Sequence, residues 1–367
     1  MDKLNILSLG AGAIGTYIGG SLALAGHNVV FLEQPPVVDI LGAQGLTLDL
    51  SIDPRRKQTH FTLNPPSVTF TASLAEALSQ TRFDVMLFAL KSFDTEPALR
   101  SLTSIASRHS STTISPADLP PALCLQNGVD NEPAIAAALG PEKVIYGTVT
   151  SAIGRKGPGS IVLEKLRGVG VAAGHPLSER LVNALDESYL NARLFPNAAD
   201  MKWSKMLTNL LANPTSAILN MTPAEIFAHP GLYRLEIEQL RECLAVMNAQ
   251  GIQVVDLPGT PVRALELATK LPLWLSKPLL SKAAGAGRGG KMPSFHIDLY
   301  TGRKQSEVTY LHGAVVRAGE KTGIPTPVNR LLTETLLALT EGRIPLTEFA
   351  HQPEKLLAGW HSLASPF

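Results

Sequence analysis

An apolar run, Asn5-Ile6-Leu7-Ser8-Leu9, passes without a spacer into Gly10-Ala11-Gly12-Ala13-Ile14-Gly15, and a helical stretch from Thr16 to Ala25 follows, closed by Gly26. No other feature restricts the fold so tightly. Strand, G-x-G-x-x-G and helix, in that order, make the turn of a dinucleotide-binding unit. Gly10 permits the tight turn, Gly12 lets a pyrophosphate approach the backbone, and Gly15 lets the helix pack close on the strand. The free N–H groups and the positive dipole end of the helix then face the phosphates, so Ala11, Ala13 and Ile14 join the three glycines as expected nucleotide contacts. A second run, Val29-Val30-Phe31-Leu32, ends on Glu33, an acidic residue where such units hold the ribose.

The first half of the chain alternates strands and helices, the pattern of a parallel sheet with crossover helices. Leu46–Leu50 and Thr59–Leu63 read as a hairpin, and Val85–Leu90 and Ala122–Leu125 as strands covered on both faces. Val144–Ile153, Ser160–Leu163 and Gly168–Ala173 read as antiparallel strands closing the sheet, and Ser107–Pro121 as a Ser/Thr/Pro-rich loop. Past Pro196 the apolar periodicity becomes helical, over Ala198–Asn213, Pro223–Gln250, Pro261–Leu271, Ser306–Thr322 and Val328–Leu339, with a Gly/Lys-rich loop at Lys282–Lys291. The expected fold is α/β: a Rossmann-type dinucleotide-binding domain over residues 1–197, then an all-helical domain over 198–367.

Composition narrows the partners. Thirty-two Lys and Arg nearly cancel 31 Asp and Glu, and no basic block stands out, which argues against nucleic acid or an anionic membrane. No apolar run is long enough to span a bilayer. The first strand starts too near Met1 for a signal peptide, and the two cysteines, Cys124 and Cys243, read as buried thiols of a reducing compartment. These traits predict a cytoplasmic protein with a small-molecule substrate and no metal; the apolar Leu331–Leu339 helix permits a homodimer, and core packing explains it equally well.

The second informative segment is Lys202-Trp203-Ser204-Lys205-Met206-Leu207-Thr208-Asn209-Leu210-Leu211-Ala212-Asn213-Pro214. On a helix, Lys205, Asn209 and Asn213 stand at i, i+4 and i+8 and form one polar stripe, opposite an apolar face of Trp203, Met206, Leu207 and Leu210. Solvated helix faces favour Glu, Gln, Arg and Lys over Asn, so the stripe reads as a ligand surface. Reduction of a carbonyl by hydride needs such parts: an ammonium to stabilise the developing oxyanion and protonate it, and amides to hold the substrate.

With Ala89-Leu90-Lys91-Ser92, Leu125-Gln126-Asn127-Gly128, Pro293-Ser294-Phe295 with Asp298, Ser306-Glu307 and Gly323-Ile324-Pro325-Thr326-Pro327-Val328-Asn329, these motifs resemble the ketopantoate reductases (2-dehydropantoate 2-reductases) and their 2-hydroxyacid dehydrogenase relatives, over nearly the whole chain. The resemblance implies a nicotinamide-dependent reductase of a 2-oxo acid, ketopantoate being the leading substrate, in pantothenate biosynthesis. By the same resemblance Lys205 is the general acid, and Asn209, Asn213 and Ser294 bind the substrate. Asn127 lies between cofactor and substrate, and Lys91 and Glu307 lie beside the cofactor. Plainer roles exist for some: Asn127-Gly128 as a turn, Ser294 as a helix N-cap, Lys91 as a strand end.

Two departures from the family pattern alter the expectation. Where phosphate-using members carry Arg after the second strand, this chain has Gln34 behind Glu33, and a carboxylate there repels a 2′-phosphate. NAD(H) is therefore expected over NADP(H), unless Arg55 or Arg56 reaches the phosphate instead. Pro223 stands ten residues beyond Asn213, where ketopantoate-specific members offer a further Asn, and Phe295 stands where Met is common. A more apolar pocket, suited to another branched or aromatic 2-oxo acid, is the alternative. A non-catalytic NAD(H) sensor is a remote one.

Overall fold

The computed structural model describes residues 3–108, 118–278, 280 and 291–364. Residues 109–117 of the Ser/Thr/Pro-rich stretch and 282–290 of the Gly/Lys-rich loop lie outside these. The chain divides into two compact units, Met1–Lys202 with Leu257–Thr260, and Trp203–Asp256 with Pro261–Phe367.

In the first unit the strands are β1 (Asn5–Leu9), β2 (Asn28–Leu32), β3 (Leu46–Asp49), β4 (His60–Leu63), β5 (Thr69–Thr71), β6 (Val85–Phe88), β7 (Ala122–Cys124), β8 (Val144–Val149), β9 (Ala152–Gly157), β10 (Ser160–Lys165), β11 (Val169–Ala172) and β12 (Ala192–Phe195). Its helices are α1 (Ala13–Leu24), α2 (Pro35–Gln44), α3 (Leu74–Gln80), α4 (Thr95–Arg108), α5 (Asn131–Leu139) and α6 (Ser178–Glu187). Eight strands form one sheet in the order β12-β11-β8-β7-β6-β1-β2-β5. All its pairings are parallel except β11 with β8. The chain leaves β1 for β2 on one side and later returns to β6 on the other. Such a reversal opens a crevice at the carboxyl ends of β1 and β6, where α/β sheets bind ligands. Side chains alternate across the sheet: Ile6 packs in one hydrophobic cluster with Phe31 and Leu87, Leu7 and Leu9 in another with Met86 and Phe88.

The β3–β4 hairpin is present as read, and β11 runs antiparallel to β8 in the main sheet as expected, but the rest of the closing segment behaves differently. β8 extends the parallel sheet, and β9 and β10 leave it to form a second, four-stranded sheet, β4-β3-β10-β9. There Ser160–Val162 run parallel to Thr47–Asp49, a pairing across more than a hundred residues that no local pattern announces. Leu257–Thr260 strap back onto this unit: the Thr150 hydroxyl donates to the Pro258 carbonyl at 2.7 Å. Gly168 is held at φ +155° with Pro258 packed against it.

The regular elements described in the second unit are all helices. The boundary falls inside α7 (Ala198–Leu210), and then come α8 (Asn213–Leu219), α9 (Pro223–Ala228), α10 (Pro230–Ala249), α11 (Val262–Lys270), α12 (Ser294–Tyr300), α13 (His312–Thr322), α14 (Pro327–Thr340) and α15 (Pro353–Ala364). Prolines divide what the periodicity joined. Pro230 separates α9 from α10, because its ring clashes with the preceding turn and it has no N–H to donate. Ser306–Thr322 begins as a short 3-10 turn at Glu307–Thr309 before α13. Among the described residues no helix is long and apolar enough to cross a membrane.

Candidate active site

The glycine turn has the geometry its sequence demands. Gly10 takes φ +89°, and a Cβ on Gly15 would stand 2.3 Å from the Gly10 carbonyl oxygen, so neither position accepts a side chain without strain. Gly12 differs: a Cβ there would meet nothing within 4 Å. Open space in front of that backbone, at the N-terminus of α1, fits the approach of a pyrophosphate. Glu33 closes the turn from β2. Its Oε1 accepts the Ala11 N–H at 2.6 Å and its Oε2 the Gln34 N–H at 3.1 Å, which aims the carboxylate at the glycine turn.

Arg55 and Arg56, the candidate substitutes for a phosphate-binding arginine, are engaged elsewhere. Arg55 Nε is 2.8 Å from Asp53 Oδ1, and its guanidinium also bonds Asn191. Arg56 donates to the Ser188 carbonyl at 2.8 Å and lies over the Tyr189 ring.

The neighbouring strand ends carry the other two first-unit candidates. Asn127 is exposed, and Gly128 after it takes φ +93° to reverse the chain. Buried polar side chains lock this turn to the one after β6. Gln126 Nε2 donates to the carbonyls of Leu90 (3.0 Å) and Lys91 (3.3 Å) and to Thr95 Oγ1 (2.8 Å). The Asn127 carbonyl accepts from Asn131 Nδ2 at 2.7 Å and Ser92 Oγ at 3.2 Å. Lys91 and Asn127 are thus held in one network at the carboxyl edge of the sheet.

In the second unit the expected stripe is corrected. Lys205 and Asn209 stand half-buried one turn apart on α7, opposite the buried Trp203, Met206, Leu207 and Leu210. Asn213 is not on that helix: α7 stops at Leu210 and Asn213 opens α8. A continuous helix would press the Pro214 ring against the Leu210 carbonyl. The break is made at Ala212, which takes the left-handed conformation (φ 54°, ψ 7°). Asn213 bridges the gap, its Nδ2 donating to the Asn209 carbonyl at 3.2 Å and its Oδ1 accepting the Phe295 N–H at 3.2 Å. That second bond anchors the first turn of α12. Ser294, the first residue of that helix, is exposed; Pro293, not Ser294, is the N-cap.

A buried chain of side chains, absent from the sequence reading, supports the break. Glu236 of α10, fully buried, accepts from the Ala212 N–H (2.7 Å), Thr215 Oγ1 (2.5 Å) and Gln239 Nε2 (2.5 Å). Gln239 Oε1 in turn lies 3.0 Å from His312 Nε2. Burial lowers the His312 pKa to about 3, against a smaller opposing effect of the Leu210 carbonyl. The ring is therefore neutral and donates from Nε2. Glu307, 5% exposed, sits in the 3-10 turn five residues before His312. The signal in the sequence was the polar spacing Glu236, Gln239, Glu242 on a helix otherwise apolar on that face, three residues apart.

A reversing, largely parallel sheet with a glycine turn at the end of its first strand defines a Rossmann-type α/β unit, here joined to a helical unit bearing a lysine and two asparagines. The family model described as ketopantoate reductase PanE/ApbA matches residues 6–173, and its C-terminal counterpart matches residues 197–340. The chain belongs to the ketopantoate reductase family, a family of oxidoreductases. It is similar to the 2-dehydropantoate 2-reductase of Streptococcus pyogenes, 24% identical over 334 residues, 90% of this chain and 95% of that protein. A protein of the same name from Archaeoglobus fulgidus is 25% identical over 338 residues, 91% and 96% of the two chains. Among solved structures, a PanE/ApbA family ketopantoate reductase from Ralstonia eutropha shares the fold with a TM-score of 0.73 at 23% identity, covering 92% of this chain and 99% of that one. D-mandelate dehydrogenase, solved with NADH and anilino(oxo)acetate, shares it with a TM-score of 0.70 at 21% identity over 92% of this chain and 99% of that one.

Proposed function

We propose that the protein reduces a 2-oxo acid to the 2-hydroxy acid with a nicotinamide cofactor, Lys205 acting as general acid. The observation that carries this reading is Lys205 one turn before Asn209, on a helix whose opposite face is buried. A bound dihydronicotinamide supplies the hydride. Lys205 supplies the proton: its ammonium stabilises the negative charge that grows on the carbonyl oxygen and then protonates it. Asn209 and Ser294 orient the substrate, and Asn213 holds them in register through its bonds to the Asn209 carbonyl and the start of α12. On the cofactor side we assign Gly10–Gly15 to the pyrophosphate, Glu33 to the ribose, and Lys91 and Asn127 to the nicotinamide side. Glu307 is assigned a place beside the cofactor.

The carboxylate of Glu33, fixed in the turn, favours NADH over NADPH, and the engagement of Arg55 and Arg56 elsewhere supports that preference. Ketopantoate is the leading substrate. Pro223 favours the second reading, a branched or aromatic 2-oxo acid: it is buried at the first position of α9 and offers no side-chain hydrogen bond. The solved NADH complex of D-mandelate dehydrogenase, a protein of the same fold, agrees with that reading. A panel of 2-oxo acids followed by nicotinamide absorbance, with each cofactor, decides both points through the ratios of kcat/KM. Lys205→Ala should lower kcat by about 100-fold or more with nucleotide affinity retained; wild-type turnover would remove Lys205 from its role.

A further inference from the structure

Under the Asn127 turn lies a charged pair for which the reaction has no use. Lys202 of α7 is 4% exposed and Glu132 of α5 is wholly buried, with Nζ 2.7 Å from Oε1. The same ammonium donates to the main-chain carbonyls of Gln126 at 2.7 Å and Gly147 at 3.2 Å. Burial opposes the charge on Lys202, but Glu132, with smaller help from Cys124 and Tyr146, more than offsets it and raises its pKa. Glu132 also faces the buried Cys124 thiol, whose pKa burial and this carboxylate push up.

An apolar pair of similar volume would hold the fold at least as well, because two desolvated charges are a net expense for stability. What apolar side chains lack is direction. An ammonium with three donors fixes three oxygens around one point, and two of these belong to the end of β7 and to β8. The Gln126 peptide leads directly into Asn127, while its side chain holds the Lys91 carbonyl. Asn131, beside Glu132 on the first turn of α5, grips the Asn127 carbonyl from the other side.

We propose that Lys202 and Glu132 are positioning residues that set the Asn127 and Lys91 turns for the nicotinamide. The proposal rests on the reading of Asn127 as a cofactor-facing residue. Lys202→Met alone strands a buried carboxylate and should lower Tm by about 5–15 °C. The double variant Lys202→Met/Glu132→Leu removes both charges and should return Tm to within about 3 °C of wild type. With the fold restored, we expect it to bind NADH about 5-fold more weakly by nicotinamide fluorescence. Its kcat should fall about 10-fold on the best 2-oxo acid of the panel, with substrate KM within about 2-fold. Wild-type NADH affinity and kcat in a double variant of recovered Tm would overturn the proposal. Failure to recover Tm would overturn it too, by making the pair a brace of the fold. Should the wild-type protein turn over no 2-oxo acid, the functional reading fails by itself, and NADH affinity in the double variant still decides the positioning role.

Discussion

Three glycines that look alike in G-x-G-x-x-G do different work here. Gly15 is fixed by packing, since a methyl group on it would overlap the Gly10 carbonyl at 2.3 Å. Gly12 faces open space, so its lack of a side chain matters to a ligand and not to the fold. Gly15→Ala should therefore lower Tm by several degrees and weaken nucleotide binding together. Gly12→Ala should leave Tm within about 2 °C and weaken nucleotide binding alone. Thermal melts with and without NADH separate the two; equal Tm losses would refute the distinction. Glu33 could be read from its place at the end of β2, but its bonds to the Ala11 and Gln34 N–H groups could not. They follow from how closely β2 approaches the turn, a matter of sheet geometry.

The helix break before Pro214 marks the limit of element-level reading. Lys205 and Asn209 keep helical spacing and were legible as a stripe; Asn213 was assigned to the same face because Pro214 alone does not say where the helix ends. The left-handed residue is Ala212, and alanine carries no sign of that conformation, which Gly or Asn usually marks. The N–H freed there is accepted by Glu236, twenty-four positions on. The second sheet escaped for the same reason: β10 looks like its neighbours until β3 is known to be its partner. Glu236→Ala would leave the Ala212 N–H, the Thr215 hydroxyl and the Gln239 amide without their acceptor. We expect a loss of about 3 kcal/mol or more in denaturant unfolding and a fall in kcat, while nucleotide affinity stays near wild type. A loss under about 1 kcal/mol would show that the break holds itself.

Across the whole molecule, stability should follow two buried groups of the helical unit in opposite senses. His312, held near pKa 3 against an ordinary 6.5, contributes in full above pH 6.5, and that contribution is lost as pH falls toward 3. Glu242 is raised from 4.5 to about 7 by burial, against hydrogen bonds from Asn329 and Val328. Its contribution is complete below pH 4.5 and is lost as pH rises through about 7. Melting curves from pH 4 to 8 should show His312→Asn flattening the acid limb and Glu242→Gln steepening it; the same sign for both would contradict the assignment. Fold class was readable from the switch of periodicity near Pro196. The strap at Leu257–Thr260 was not, being four residues of the first unit embedded in the sequence of the second. That strap bears on how the protein is made. The first unit is complete in sequence only to Lys202 when the ribosome moves on, and until Pro258 arrives 56 residues later the Thr150 hydroxyl has the Gly168 carbonyl but not the Pro258 carbonyl to bond. At ~5–20 residues per second, about 3–11 s pass before the first unit can close, so in birth order neither half is finished before the other has begun.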